Sequence, residues 1–154
     1  MNDTNTIANI RDWFETAKPV EQRSVRDIQV QAGVHFEEVH EMLIEIEGLT
    51  PETRALLIAA QESMHNLANH FKQSTDVVFI VDEDDHVKFL DSLCDQIVTA
   101  TGVAHFMNYL IVPAIDEVSR SNDSKFIDGQ CVLDTNGKIA KGPNYFKANL
   151  APYT

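Results

Sequence analysis

Four glutamates, Glu37, Glu38, Glu41 and Glu45, crowd the stretch HFEEVHEMLIEIE that runs from His35 to Glu47. On a helix they share an arc about 100° wide. Like charges spaced i,i+4 repel, and no Lys or Arg occurs from Asp27 to Thr53 to offset them. An amphipathic helix always presents a polar face, and the stripe could be only that. Val30 and Val34, however, fall on the acidic side, so the stripe is expected to be partly covered. The opposite arc, with Ile28, Ala32, Phe36, Val39, Leu43 and Ile46, is the expected core face. Crowded, half-covered carboxylates need a partner, and a divalent cation is the natural one.

A second acidic pair stands further along. In FLDSLCDQIVTATG, Asp91 and Asp95 are i,i+4 and share a line with Gly102, where a neighbouring helix or ligand can approach closely. Helical bundles build metal sites from carboxylates projecting off facing helices. An all-oxygen donor set favours Mg2+ or Mn2+ over zinc. His40-Glu41 lacks the second histidine of the HExxH zinc motif, and no GxGxxG, GxxxxGK[ST] or GxSxG occurs. The di-iron Glu-x-x-His signature is met once, by Glu62 and His65.

Long helices must carry these acids. The spacing of Ile7, Ile10, Trp13, Phe14 and Ala17 predicts a first helix that stops before Pro19. Ser24 is a candidate N-cap for a second helix reaching about Gly48, and Thr50 caps a third with Pro51 at its first position. A fourth is expected from about Val87 to Leu110, with Pro113 breaking or kinking the chain before a short AIDEVSRS segment. DVVFIV reads as a brief strand or an apolar helix end. Asn136-Gly137, between two short runs, is a hairpin signal. The expected fold is therefore all-α: a four-helix bundle-like core over about 5–120, with a small β-hairpin appendix and basic tail over about 121–154, in one domain.

The bulk charge narrows the function. The 154 residues carry a net charge of −12, which argues against a nucleic acid polymer as partner. Residues 1–117 hold 7 Lys and Arg against 21 Asp and Glu, whereas 118–154 hold 5 against 3. An acidic body thus ends in a mildly basic tail. No apolar run approaches a membrane span, no secretory signal is recognisable, and Cys94 and Cys131 suggest no disulfide framework. A cytoplasmic setting is expected, with no membrane partner.

The Glu37-Glu38-x-x-Glu41 motif, followed on a later helix by an acidic pair ending at Asp95, resembles the MazG-like all-α nucleoside triphosphate pyrophosphohydrolases. That superfamily includes dimeric dUTPases, dCTP pyrophosphatases and phosphoribosyl-ATP pyrophosphohydrolase, and its pattern is EExxE, then ExxD. SRSNDSKF also resembles the family's downstream Asn and Lys, and DTNGKIAKGPNYFKANL looks like the ending of short phage and bacterial members. The resemblance covers roughly residues 5 to 150. One position departs from it: Ser92, not an acid, stands three before Asp95, and the acid is Asp91.

The resemblance implies hydrolysis of a (deoxy)nucleoside triphosphate to the monophosphate and pyrophosphate, in a homodimer or homotetramer. It places metal ligation on Glu38, Glu41 and Asp95, and phosphate contacts on Asn122 and Lys125. Asp91 joins the ligands as the shifted acid. Glu37, beside them on the arc, is the candidate to orient or deprotonate the attacking water. Lys125, with Lys138 and Lys141, would neutralise phosphate oxygens. Trp13 offers a flat ring for a base, although a core role is the simpler reading. The competing class is a non-catalytic helical module that binds a nucleotide or a protein, which the Asp91/Ser92 shift favours.

Overall fold

The computed structural model describes residues 6–135 and 137–154. Among them are five α-helices and no β-strand, so the all-α class holds. They are α1 (Thr6–Ala17), α2 (Val25–Ile44), α3 (Pro51–Gln73), α4 (His86–Phe106) and α5 (Ile111–Asp123). The chain gathers into two compact units. One comprises Arg23–Ile80 with Leu133–Lys138, and the other Met1–Gln22, Val81–Val132 and Ile139–Thr154.

In the first unit α2 and α3 form an antiparallel pair. Both starts follow local chemistry. Ser24 and Asp27 make a reciprocal capping box, with the Ser24 N–H donating to Asp27 Oδ2 at 2.7 Å. Thr50 Oγ1 accepts from the Thr53 N–H at 3.1 Å, ahead of Pro51. Arg26 of α2 closes the far end by donating to the carbonyls of Phe71, at 2.8 Å, and Lys72. These are among the last carbonyls of α3, which lack an intrahelical donor.

The face that α2 turns to α3 matches the expected apolar arc only in part: Phe36 sets its ring against Phe71 of α3, 5.9 Å between centroids, but the ends of the arc are bare. Gln29, Val30 and Gly33 are the buried residues of α2, whereas Ile28 is 58% and Ile46 47% exposed. Gly33 explains the rotation, because a Cβ there would stand 2.8 Å from the Ala68 carbonyl oxygen. The helices meet closest where one side chain is missing. Val30, on the acidic side, is covered as expected. The helix also ends at Ile44, short of Gly48, whose carbonyl instead accepts from Arg54 Nε at 2.8 Å.

DVVFIV is neither strand nor helix. Gln29 holds this segment by its side-chain amide. Its Nε2 donates to the carbonyls of Phe71, Ser74 and Asp76 at 3.3, 3.2 and 3.1 Å, and its Oε1 accepts from the Val78 N–H at 3.0 Å. One buried side chain replaces a β ladder.

In the second unit α5 anchors α1 and the C-terminal segment. Thr6 of α1 donates to Asp116 at 3.0 Å. Buried Ser121 donates to the Phe146 carbonyl at 2.8 Å, and the Asn149 N–H donates to Glu117 at 2.8 Å. The Arg120 hydrogen bond, with that N–H, holds the Glu117 carboxyl down at about 2. Pro113 does not break a helix. It sits in the first turn of α5, where no N–H is needed, and the chain bends 119° around Met107–Leu110, with Asn108 at φ 60°. No single helix among the described residues is long and apolar enough to cross a membrane.

The expected β-hairpin is a turn. Asn136 lies outside the described residues; around it the Asp134 N–H donates to the Lys138 carbonyl at 2.8 Å and the Gly137 N–H to Asp134 at 3.0 Å. One further pair follows, the Ala140 N–H donating to the Val132 carbonyl at 2.8 Å, and no strand forms among the described residues.

Candidate functional site

Glu37 stands at the centre of the first unit's polar chemistry. It sits on the side of α2 that faces α3, and its carboxylate receives two cations from distant parts of the sequence. Lys72 Nζ of α3 donates to Oε1 at 2.6 Å, and Lys138 Nζ of the 133–138 turn donates to Oε2 at 2.8 Å. The acidic stripe, unanswered within its own stretch, is thus answered from residues 35 and 101 positions away. Lys138 was an expected phosphate ligand. Lys72 was not singled out by sequence, because nothing local links it to α2.

The geometry sets the protonation. Burial raises the Glu37 carboxyl, but hydrogen bonds from Lys138 and Lys72, with their charges, outweigh it and hold the group below 4.5. Burial likewise lowers the Lys138 ammonium, yet the Glu37 hydrogen bond and the charges of Glu37, Glu38 and Glu41 raise it above 10.5. Glu38 and Glu41 therefore lie close enough to Lys138 for their fields to count. Both are exposed. Lys72 is only 14% exposed at its side chain, against 42% for Lys138.

A pH prediction follows from these two directions. The Glu37 contribution is fully present above about 4.5, its unfolded value, and disappears as pH falls through the lowered folded value. The Lys138 contribution is fully present below about 10.5 and disappears as pH rises through the raised one. The protection factor of the Lys138 amide, whose N–H donates to Asp134 Oδ1 at 3.0 Å, should be highest between those limits. Lys138→Met should flatten the alkaline limb. An unchanged profile in that variant would disprove the link between ion pair and turn.

Two clefts border Glu37. One, of about 220 Å3, is lined by Glu37, Asn69, Lys72, Asp134 and Lys138, among others. The second, of about 260 Å3, is lined by Glu37, His40, Glu41, His65 and Lys72, among others. Either volume falls below the ~300–1,000 Å3 usual for a small-molecule site. Each admits a phosphoryl group more readily than a whole nucleotide. His40 and His65 stack across the second, with centroids 5.1 Å apart. The His40 Nδ1 donates to the Gln61 carbonyl at 3.0 Å.

The remaining candidates lie in the other compact unit. Asp91 and Asp95 are exposed on α4. Asn122, in the last turn of α5, accepts the Lys125 N–H at its carbonyl, 3.0 Å away. The Lys125 ammonium stands 5.6 Å from the centre of the Trp13 ring, and the Lys141 ammonium 4.9 Å from that of Tyr145. Trp13 packs edge-on against Phe14 and Phe126, at 5.0 and 5.4 Å, and its buried Nε1 has no hydrogen-bond partner. Within its unit the structure thus joins Trp13 to Lys125. Among the described residues, no three His, Cys, Asp or Glu side chains gather closely enough to hold a metal ion. Comparison with known proteins finds no matching family model, no matching curated sequence and no matching solved structure.

Proposed function

We propose that this chain is a Mg2+-dependent nucleoside triphosphate pyrophosphohydrolase of the MazG-like group, splitting the α–β phosphoanhydride of a (deoxy)nucleoside triphosphate into the monophosphate and pyrophosphate. One observation carries the reading. Exposed Glu38 and Glu41 act on Lys138 through their charges, and Lys138 shares the Glu37 carboxylate with Lys72, so the oxygens a hard cation takes and the ammonium groups a phosphate takes occur together in one unit. A triphosphate needs both, since carboxylates alone repel it.

The donor chemistry suits Mg2+ or Mn2+: Glu38 and Glu41 on α2 offer only oxygen, and so, in the other unit, do Asp91 and Asp95 on α4. When bound, the ion would polarise phosphate oxygens and lower the charge seen by the nucleophile. The chain's own residues do the rest. Lys138, Lys72 and, in the other unit, Lys125 offer ammonium groups to phosphate oxygens. Glu37, held by two lysines and already a weak base, is better suited to orienting water than to deprotonating it. Trp13 offers a ring face to a base, and Lys141 a further cation. A cytoplasmic homodimer or homotetramer acting on free nucleotides, not on a nucleic acid polymer or a membrane, completes the proposal.

A second reading has its own support. Glu37 is fully engaged by Lys72 and Lys138, which suits a non-catalytic module that binds a nucleotide or protein. Incubation with the common ribo- and deoxyribonucleoside triphosphates, with Mg2+ or with EDTA, separates the two. The hydrolase releases pyrophosphate from at least one triphosphate with Mg2+ and none with EDTA. Triphosphates that bind by calorimetry yet stay intact would leave the binding module standing.

A further inference from the structure

We propose that Glu37 is an autoinhibitory stand-in for a phosphoryl group: its carboxylate fills an anion seat between Lys72 and Lys138, and a phosphate that takes the two lysines sets it free. The contact is that of a bridged anion. Lys72 Nζ donates to Oε1 at 2.6 Å and Lys138 Nζ to Oε2 at 2.8 Å, so each oxygen has its own ammonium. Lys72 is largely covered and Lys138 half-covered, and a covered ammonium left without an anion is costly. Some anion must therefore stay between them, and exchanging one for another is the low-cost change.

The cleft of about 220 Å3 opens on this seat. Four of its lining side chains, Asn69, Lys72, Gln73 and Lys138, are hydrogen-bond donors. Asp134 balances one lysine from within the turn, where its Oδ1 accepts the Lys138 N–H. A phosphoryl group carries about −1.5 to −2 charge at pH 7 and three strong acceptor oxygens, so it can engage both ammoniums and an amide together. Glu37 has one charge and two oxygens, but it is tethered. Glu37 also lines the second cleft, with His40 and His65, which gives the displaced carboxylate a polar space to turn into. The 133–138 turn stays docked, because Lys138 keeps an anion throughout. Freed Glu37 would then be available, next to Glu38, to orient water. Only that last use rests on the hydrolase reading, since the exchange would serve a binding module equally.

Inorganic phosphate, titrated into the full chain at constant ionic strength without divalent cation and followed by NMR, is the test. In the wild type the side-chain resonances of Lys72 and Lys138 and the carboxyl-carbon resonance of Glu37 should move with one midpoint. A tethered competitor acts at an effective concentration on the order of mM, so Glu37→Gln should lower that midpoint at least about tenfold. Adding Lys72→Met should cancel the gain, and adding Lys88→Met, at an exposed lysine of the other unit, should not. Should Glu37→Gln fail to fold, the wild-type titration decides alone. Lysine resonances that move while Glu37 stays still, no movement of any of the three, a smaller gain in Glu37→Gln, or a gain that survives Lys72→Met would each overturn the proposal. Exchange without turnover of any triphosphate would keep it and remove the hydrolase; turnover without exchange would do the opposite.

Discussion

Glu38→Gln and Asp95→Asn should each lower Mg2+-dependent pyrophosphate release by about 100-fold or more, while the helical signal and melting temperature barely move. The size follows from the role assigned to the two acids. Removing one charge-stabilising group from a transition state typically costs two to three orders of magnitude, and a lost carboxylate also weakens hold on a hard cation. The small structural effect follows from their positions. Both side chains lie on exposed helix surface, where substitutions usually stay within about 0.5 kcal/mol. Glu37→Gln offers the contrast. It releases Lys72 and Lys138 together, so it should lower both turnover and the order of the 133–138 turn. The two acids report on different compact units, so each variant is informative by itself. Full turnover in both would remove the acidic site and leave the binding reading.

Local signals are legible in the sequence, and distant ones are not. Ser24 with Asp27, and Thr50 with Pro51, specify their helix starts within four residues, so the caps were visible before any fold was considered. The partner face of α2 was not. Counting apolar residues points rightly to Phe36, which meets Phe71, but also to Ile28 and Ile46, which stay exposed, whereas the closest packing follows Gly33, whose missing side chain counts for nothing in such a tally. The Glu37 cluster was half legible. The crowding of carboxylates points to a divalent cation and Lys138 to phosphate, whereas Glu37 is paired with Lys72 and Lys138 themselves. Lys72 sits on α3 with no spacing rule tying it to Glu37, and only the antiparallel pairing brings them together. The Asn136-Gly137 signal marked a real reversal but said nothing of how far the pairing would run. Pro113 misled because a proline suits a helix's first turn as well as its end.

Gln29→Leu should destabilise the chain by about 3 kcal/mol, although it puts an apolar residue of similar volume into a buried place. Gln29 is 1% exposed, and hydrophobicity alone would predict a gain. The hydrogen bonds decide otherwise. Leucine can neither accept from the Val78 N–H nor donate to the carbonyls of Phe71, Ser74 and Asp76. Each partner left buried and unpaired costs about 1–3 kcal/mol, reduced wherever the 74–80 segment swings out to water. Thermal or urea unfolding measures the total, and amide exchange at Val78 locates it, since that N–H should lose its protection first. Gln29→Glu should be no better, because it keeps the acceptor but loses the donor and buries a charge. The effect should also reach Lys72, whose carbonyl takes a hydrogen bond from Arg26 in the same α3 terminus that Gln29 secures. A loss below about 0.5 kcal/mol would mean that the segment finds equivalent partners without Gln29. The side chain would then be a passenger in the α2–α3 pair instead of its clasp.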